Sequence, residues 1–222
     1  MTGRMIVCIA STALATYGWI DPAAAGVRLP APAAKGEVSV EAALAARRSV
    51  RTYSKQPLTL AQAGQLLWAA QGVTGPGGKR TAPSARARYP LEIVVVAQNV
   101  EGLAAGAAYR YVPAKHALEL LTEAAPGAPL LAKAAAQAHV AAAPAVFVIA
   151  SADPRMGTGP NNRTWCDYEA GLASENLLLQ AVALGLGGVV TGGIDVAGVR
   201  DAVKLSPAER VVVVIPIGKP AN

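Results

Sequence analysis

The stretch DYEAGLASENLLLQAVALGLGG, residues 167–188, holds the longest helical pattern in the chain, from Asp167 to Leu184. Ala170, Ala173, Leu177, Gln180, Ala181 and Leu184 recur at helical spacing around a nearly all-apolar cylinder. A helix apolar on most sides belongs at the centre of a fold. Gly185-Leu186-Gly187-Gly188 ends it, because glycine takes up the backbone conformations that close a helix at little steric cost.

Working outward, Val189 and Val190 begin an extended piece, Asp195 caps a short helix through about Val203, and residues 210–217 form a closing strand. Upstream, Leu91–Ala97 and residues 145–150 are short β-branched runs suited to buried strands. Residues 108–112 and 117–121 pair as a hairpin across Pro113 to His116, which makes His116 a turn residue. Thr59 followed by Gln62 reads as a capping box, and Leu60, Ala63, Leu67 and Trp68 repeat at helical spacing before Gly72. Ser39 opens a shorter helix through about Ala46, with Val40, Ala43 and Leu44 on one face, and another helix is expected over 129–138. Strands alternating with helices around a hairpin predict an α+β layered fold, a central antiparallel or mixed sheet flanked by helices.

The 222 residues suffice for a sizeable core, and with 53% hydrophobic but only 5% aromatic residues that core is built from Ala, Val and Leu. The net charge of +6 raises nucleic acid as a partner. The basic residues are scattered, however, without an aromatic-interleaved basic stretch or zinc-ligand spacing, so the charge is read as solubility and anion binding. Arg4, an uncharged run from Met5 to Ile20, and Ala23-Ala24-Ala25 predict a signal peptide over 1–25, too short in its apolar run for a stable membrane span. The mature protein is then periplasmic or secreted; without cleavage it is cytoplasmic. A Pro- and Ala-rich linker is expected over 26–37 and a single domain over 38–222. Cys8 leaves with the leader, and Cys166, with no His or Asn partner set around it, reads as a packed thiol. His139 reads as a surface or packing residue. Gly75-Pro76-Gly77-Gly78-Lys79-Arg80 is a loop but not a Walker motif, since Val73 stands at the first glycine position and Arg80 replaces the Ser or Thr.

Arg47-Arg48-Ser49-Val50-Arg51-Thr52 sets three guanidinium groups beside two hydroxyls in a chain only 15% charged. Arginine's planar fork pairs with phosphates and delocalised oxyanions, although a solvated charge run at a helix end has the same pattern. Further along stand Pro83-Ser84-Ala85 with Tyr89-Pro90-Leu91-Glu92, then the central helix with its glycine run, then Ile215-Pro216-Ile217-Gly218-Lys219-Pro220. In this order, from about Val40 to Pro220, these blocks resemble the FMN-dependent nitroreductase superfamily, most closely its branch of thiazoline and oxazoline dehydrogenases.

That resemblance implies a homodimer binding FMN. It assigns Arg47, Arg48 and Ser49 to the phosphate and ribityl groups and Arg51 to the pyrimidine edge of the ring. Gly187 and Gly188 would lie near N5, and Lys219 would be a phosphate contact. Pro83, Ser84 and Ala85 would be supplied by the second subunit. No side chain is assigned a catalytic role, because flavin N5 carries the chemistry. Arg86-Ala87-Arg88 departs from the small or apolar residues usual in that branch, and the acid/base pair of the peptide-oxidising members has no counterpart here. The expected function is ping-pong electron transfer from NAD(P)H or another donor to a small nitroaromatic, quinone or similar acceptor. The alternative is an exported flavin- or anion-binding protein without turnover, its pocket obstructed by Arg86 and Arg88.

Overall fold

The β-branched runs dictate the architecture. The computed structural model describes residues 26–123, 131 and 133–221; the expected leader lies outside them. Strands β1 (Val27–Arg28), β4 (Leu91–Ala97), β5 (Ala107–Val112), β6 (Ala117–Thr122), β7 (Ala145–Ala152), β8 (Gly187–Gly188) and β9 (Glu209–Gly218) form one sheet in the order β1-β6-β5-β4-β7-β9-β8, with every neighbouring pair antiparallel. A small hairpin of β2 (Val73–Gly75) and β3 (Lys79–Arg80) occupies the expected glycine-rich loop.

Both faces of the central strands are buried, which explains why β4 and β7 are continuous apolar runs rather than alternating ones. Register places Val95 opposite Phe147 and Phe147 opposite Ile215 on one face, and Val94, Val148 and Val214 in the same relation on the other. The first face is covered by α2 (Leu60–Gln71) and α4 (Asn162–Ala183), through Leu66, Leu67, Ala173, Leu177 and Ala181. The second is covered by α3 (Ala138–Ala142), α5 (Val196–Ala202) and the residues around them, through Val140, Val199 and Val203. The remaining helix, α1 (Val40–Ala46), packs beside α4.

Local signals account for the helix ends. Thr59 Oγ1 accepts from Gln62 N and Gln62 Oε1 accepts from Thr59 N, the reciprocal capping box expected at α2. Ser39 caps α1 and Asp195 caps α5 by the same side-chain-to-backbone bond. At the end of α4, Gly185 has φ +69°, Gly185 N donates to Val182 O and Leu186 N to Ala181 O, a Schellman closure. Gly185 therefore stops the helix, while Gly187 and Gly188 belong to the sheet.

Three expectations need correction. The central helix begins at Asn162 rather than Asp167 and is not buried all round, for Trp165, Tyr168 and Leu172 are exposed. Residues 26–37 are extended, yet part of the sheet: β1 pairs with β6, Leu29 is buried, and Ala33 exchanges hydrogen bonds with Gln65. The helix expected over 129–138 falls partly outside the described residues, and the helix found is α3, whose N-terminal end follows Gln137.

Candidate functional site

The arginine segment leaves the end of α1 and is laced against β8 and the residues that follow β9. Ser49 bridges Gly188 in parallel, and Val50 N donates to Gly188 O at 3.0 Å. Further on, Ser54 N donates to Lys219 O (2.8 Å), Ala221 N donates to Thr52 O (3.0 Å), and Tyr53 bridges Pro220. The Tyr53 hydroxyl is in hydrogen-bond contact with both Val50 O (2.8 Å) and Pro216 O (3.1 Å). Burial pushes this phenol above its ordinary range, against the pull of the Arg51 charge. Arg47, Arg48, Ser49, Arg51, Gly187, Gly188 and Lys219 are thereby gathered at one edge of one subunit.

Their side chains are not equivalent. Arg47 Nε pairs with Glu175 Oε1 on α4 at 3.3 Å. Arg48 Nη1 turns back to donate to Ala45 O and Arg47 O, at 2.9 and 2.8 Å, satisfying carbonyls at the end of α1. Ser49, Arg51 and Lys219 are exposed, presenting a hydroxyl and two cations. His139 sits close by on α3, its Nε2 at 3.1 Å from Thr191 Oγ1; burial and the Arg51 charge both pull its imidazole below the ordinary range. This arrangement suits an anion. Among the described residues, no group of three or more His, Cys, Asp and Glu could hold a metal ion, and no helix is long and apolar enough to cross a membrane.

The glycine pair has a packing role at this edge. A Cβ on Gly187 would lie 2.6 Å from Val50 Cγ2, and one on Gly188 would lie 2.4 Å from Pro216 O. The glycines let the arginine segment and β9 approach the β8 backbone.

Pro83, Ser84 and Ala85 are elsewhere. Ser84 Oγ donates to Glu169 Oε1 at 3.1 Å and Ala85 N donates to the same oxygen at 2.8 Å. Glu169 lies near the start of α4, whereas Gly187 follows its end; the helix between them spans about 20 Å at 1.5 Å per residue. Arg47 is nearer than Gly187, because its partner Glu175 lies six residues from Glu169, about 9 Å along the helix axis. Arg86 is held by its own subunit, with Nη2 3.0 Å from Asn162 Oδ1 and 3.3 Å from Met156 O, while Arg88 is exposed. Glu169 and Glu175 were not legible as partners, because each is set by contacts more than eighty residues away.

A groove of about 570 Å³ runs between residues 31–43, α2 and α4, lined by Val38, Ala43, Trp68, Leu179 and Leu184 among others. Val40 and Leu44 on α1, and Val38 just before it, are exposed.

A mixed helix–sheet scaffold with exposed cations gathered beyond the end of its central helix can hold an anionic group at that edge. The chain belongs to the nitroreductase family, whose sequence model matches residues 44–219. A protein of Methanocaldococcus jannaschii named as a nitroreductase is 36% identical over 185 residues, covering 82% of this chain and 92% of that protein. A crystal structure from Ralstonia eutropha, also named as a nitroreductase, superposes with a TM-score of 0.77 at 31% identity over 89% of this chain and 90% of its own. A Desulfovibrio desulfuricans nitroreductase solved in complex with FMN shares the fold, with a TM-score of 0.60 at 23% identity over 84% and 88% of the two chains.

Proposed function

We propose that the protein is a homodimeric FMN oxidoreductase that passes electrons from NAD(P)H or another small donor to a nitroaromatic, quinone or similar acceptor, the two using one face of the site in turn. The observation that carries this reading is the lacing of residues 49–54 against Gly188 and residues 219–221, which concentrates Arg47, Arg51 and Lys219 at one edge. The FMN present in the Desulfovibrio relative supports the choice of ligand. The donor set fits that group, whose phosphate needs cations and hydroxyls and whose ring gains negative charge on reduction.

When bound, FMN supplies two-electron chemistry at its N5 atom. The chain's residues do the rest. Arg47, Ser49 and Lys219 hold the phosphate and ribityl end, with Arg48 contributing through the guanidinium nitrogens that its backbone contacts leave. Arg51 places a positive charge at the pyrimidine edge, where it favours the reduced form and raises the potential. The β8 backbone at Gly187 and Gly188 forms the floor beside N5.

The second subunit enters because one chain leaves the site half built. Pro83, Ser84 and Ala85 are held by Glu169 beside the exposed residues of α4, and we assign them to the partner's site. Trp165, Tyr168 and Leu172, exposed at 46%, 62% and 47%, form a stripe on α4 for the partner to cover. The bonds from Arg86 to Asn162 and Met156 hold that cation on its own subunit, which weighs against an obstructed, turnover-free pocket. We further propose that residues 1–25 direct export, a reading checked by N-terminal sequencing of the mature protein.

The test is direct. Purified protein incubated with FMN should retain one flavin per subunit, bleach with NAD(P)H or dithionite, and regain absorbance on adding a quinone or nitro compound. Failure to retain FMN sinks the cofactor assignment; reduction and reoxidation only at the rates of free flavin would leave a binding protein.

A further inference from the structure

We infer that Glu169 is a positioning residue that latches the loop from Pro83 to Tyr89 in the form one subunit presents to its partner's cofactor site. This rests on the two-subunit FMN site proposed above. Glu169 is only 4% exposed, and its Oε1 accepts two hydrogen bonds from the loop, from Ser84 Oγ and Ala85 N. Ser84 Oγ in turn accepts from Tyr89 N at 2.7 Å. One carboxylate oxygen therefore ties the two ends of the loop together, through a relay that runs from the Tyr89 amide to the Ser84 hydroxyl to Glu169.

The loop needs such a tie. Arg86, Ala87 and Tyr89 have φ of +56°, +52° and +47°, left-handed conformations that are unfavourable for residues with a Cβ and persist only where their surroundings over-determine them. The surroundings here are the Glu169 bonds, the Arg86 contacts with Asn162 and Met156, and Arg80 lying 4.5 Å over the Tyr89 ring.

A carboxylate is a poor choice for stability alone. Glu169 Oε2 is buried without a hydrogen-bond partner, and burial raises the carboxyl's pKa against the pull of the Ala85 and Ser84 bonds. What the position gains from a carboxylate is an acceptor that serves two donors at once. It also lies on the helix that carries the exposed stripe: Trp165 is one turn before Glu169 and Leu172 three residues after it. The latch thus stands on the same side of the helix as the surface assigned to the partner.

Subunit complementation tests this. Glu169→Ala and Arg47→Ala homodimers should each bind FMN at least tenfold more weakly than wild type. A mixed dimer of the two variants unites the intact Arg47 edge of one subunit with the intact loop of the other, and should bind one FMN per dimer with wild-type affinity. In the FMN-free protein, the Ala85 and Tyr89 amides should exchange faster in Glu169→Ala, while Glu169→Gln, which keeps Oε1, should restore protection and binding. Should Glu169→Ala fail to fold, Glu169→Leu, which fills the space but accepts no hydrogen bond, replaces it in every arm. A mixed dimer without a restored site, or unchanged amide exchange, overturns the latch. A wild-type protein that binds no FMN overturns instead the cofactor reading, and the exchange arm still decides whether Glu169 holds the loop.

Discussion

Replacing Gly187 by alanine should move the arginine segment without touching any of its charges. The added Cβ would lie 2.6 Å from Val50 Cγ2 and 3.0 Å from Val50 Cβ, inside any ordinary contact distance. Val50 is one residue from both Ser49 and Arg51, and its amide is bonded to Gly188 O. Relief of the clash therefore either strains β8 or pushes the segment off it. Overpacking of this kind costs about 1–3 kcal/mol, or about 2–12 °C in Tm at the ~2–4 °C per kcal/mol of a domain of this size. Losing the Val50–Gly188 bond would add about 1 kcal/mol. Urea unfolding measures the stability change and quenching of FMN fluorescence measures affinity, which should fall together. The double variant Gly187→Ala/Val50→Ala removes both γ carbons and should recover at least ~0.5 kcal/mol relative to the sum of the single changes, as expected for residues in contact. Strict additivity, or a Gly187→Ala protein with wild-type stability and FMN binding, would refute the account of why glycine stands there.

The two arginines should separate by function: Arg47→Ala chiefly weakens FMN binding, whereas Arg51→Ala chiefly lowers the bound flavin's potential, measured by dye equilibration, and equal effects on both quantities contradict the division. Acid stability should depend on Glu209. Burial pushes its carboxyl up, but bidentate bonds from Arg110 (2.5 and 3.1 Å) and the bond from Ser206 N together pull it below the ordinary range. With the folded pKa depressed, its contribution is full above the unfolded value of about 4.3 and is lost as pH falls through the folded value; Glu209→Gln should flatten the denaturation profile in that acid window, and an unchanged slope contradicts this. Cys166 is fully buried and burial pushes its thiol up, so in a Cys8→Ser chain a thiol reagent at pH 7 should find no reactive group until urea is added. Rapid labelling of the native protein would count against that packing.

What was legible in the sequence is what short-range chemistry determines. The Thr59–Gln62 box, the Ser39 and Asp195 caps, the turn at His116 and the β-branched strands all depend on residues within a few positions of one another. The strand at Val27–Arg28 escaped notice because two residues carry no periodicity and the prolines at 30 and 32 imitate a linker. The outward face of α4 escaped for a different reason. Helical spacing does not by itself say which apolar residues of a helix end up buried, so exposed Leu172 is not told apart from buried Leu177, and Trp165 precedes the helix start expected at Asp167.

The glycine pair joins these two levels. Read along the chain, Gly187 and Gly188 invite the explanation that a bare backbone lets a ring come close. In the fold, the space next to each Cα is taken by protein: Val50 at Gly187, and Pro216 and Ile217 at Gly188. The pair therefore acts on the site through packing, drawing the arginine segment and the closing strand onto one narrow ribbon. Arg47, Arg51 and Lys219 come together because two residues without side chains lie between the segments that carry them, and a motif that looks like a contact surface is first a spacing device.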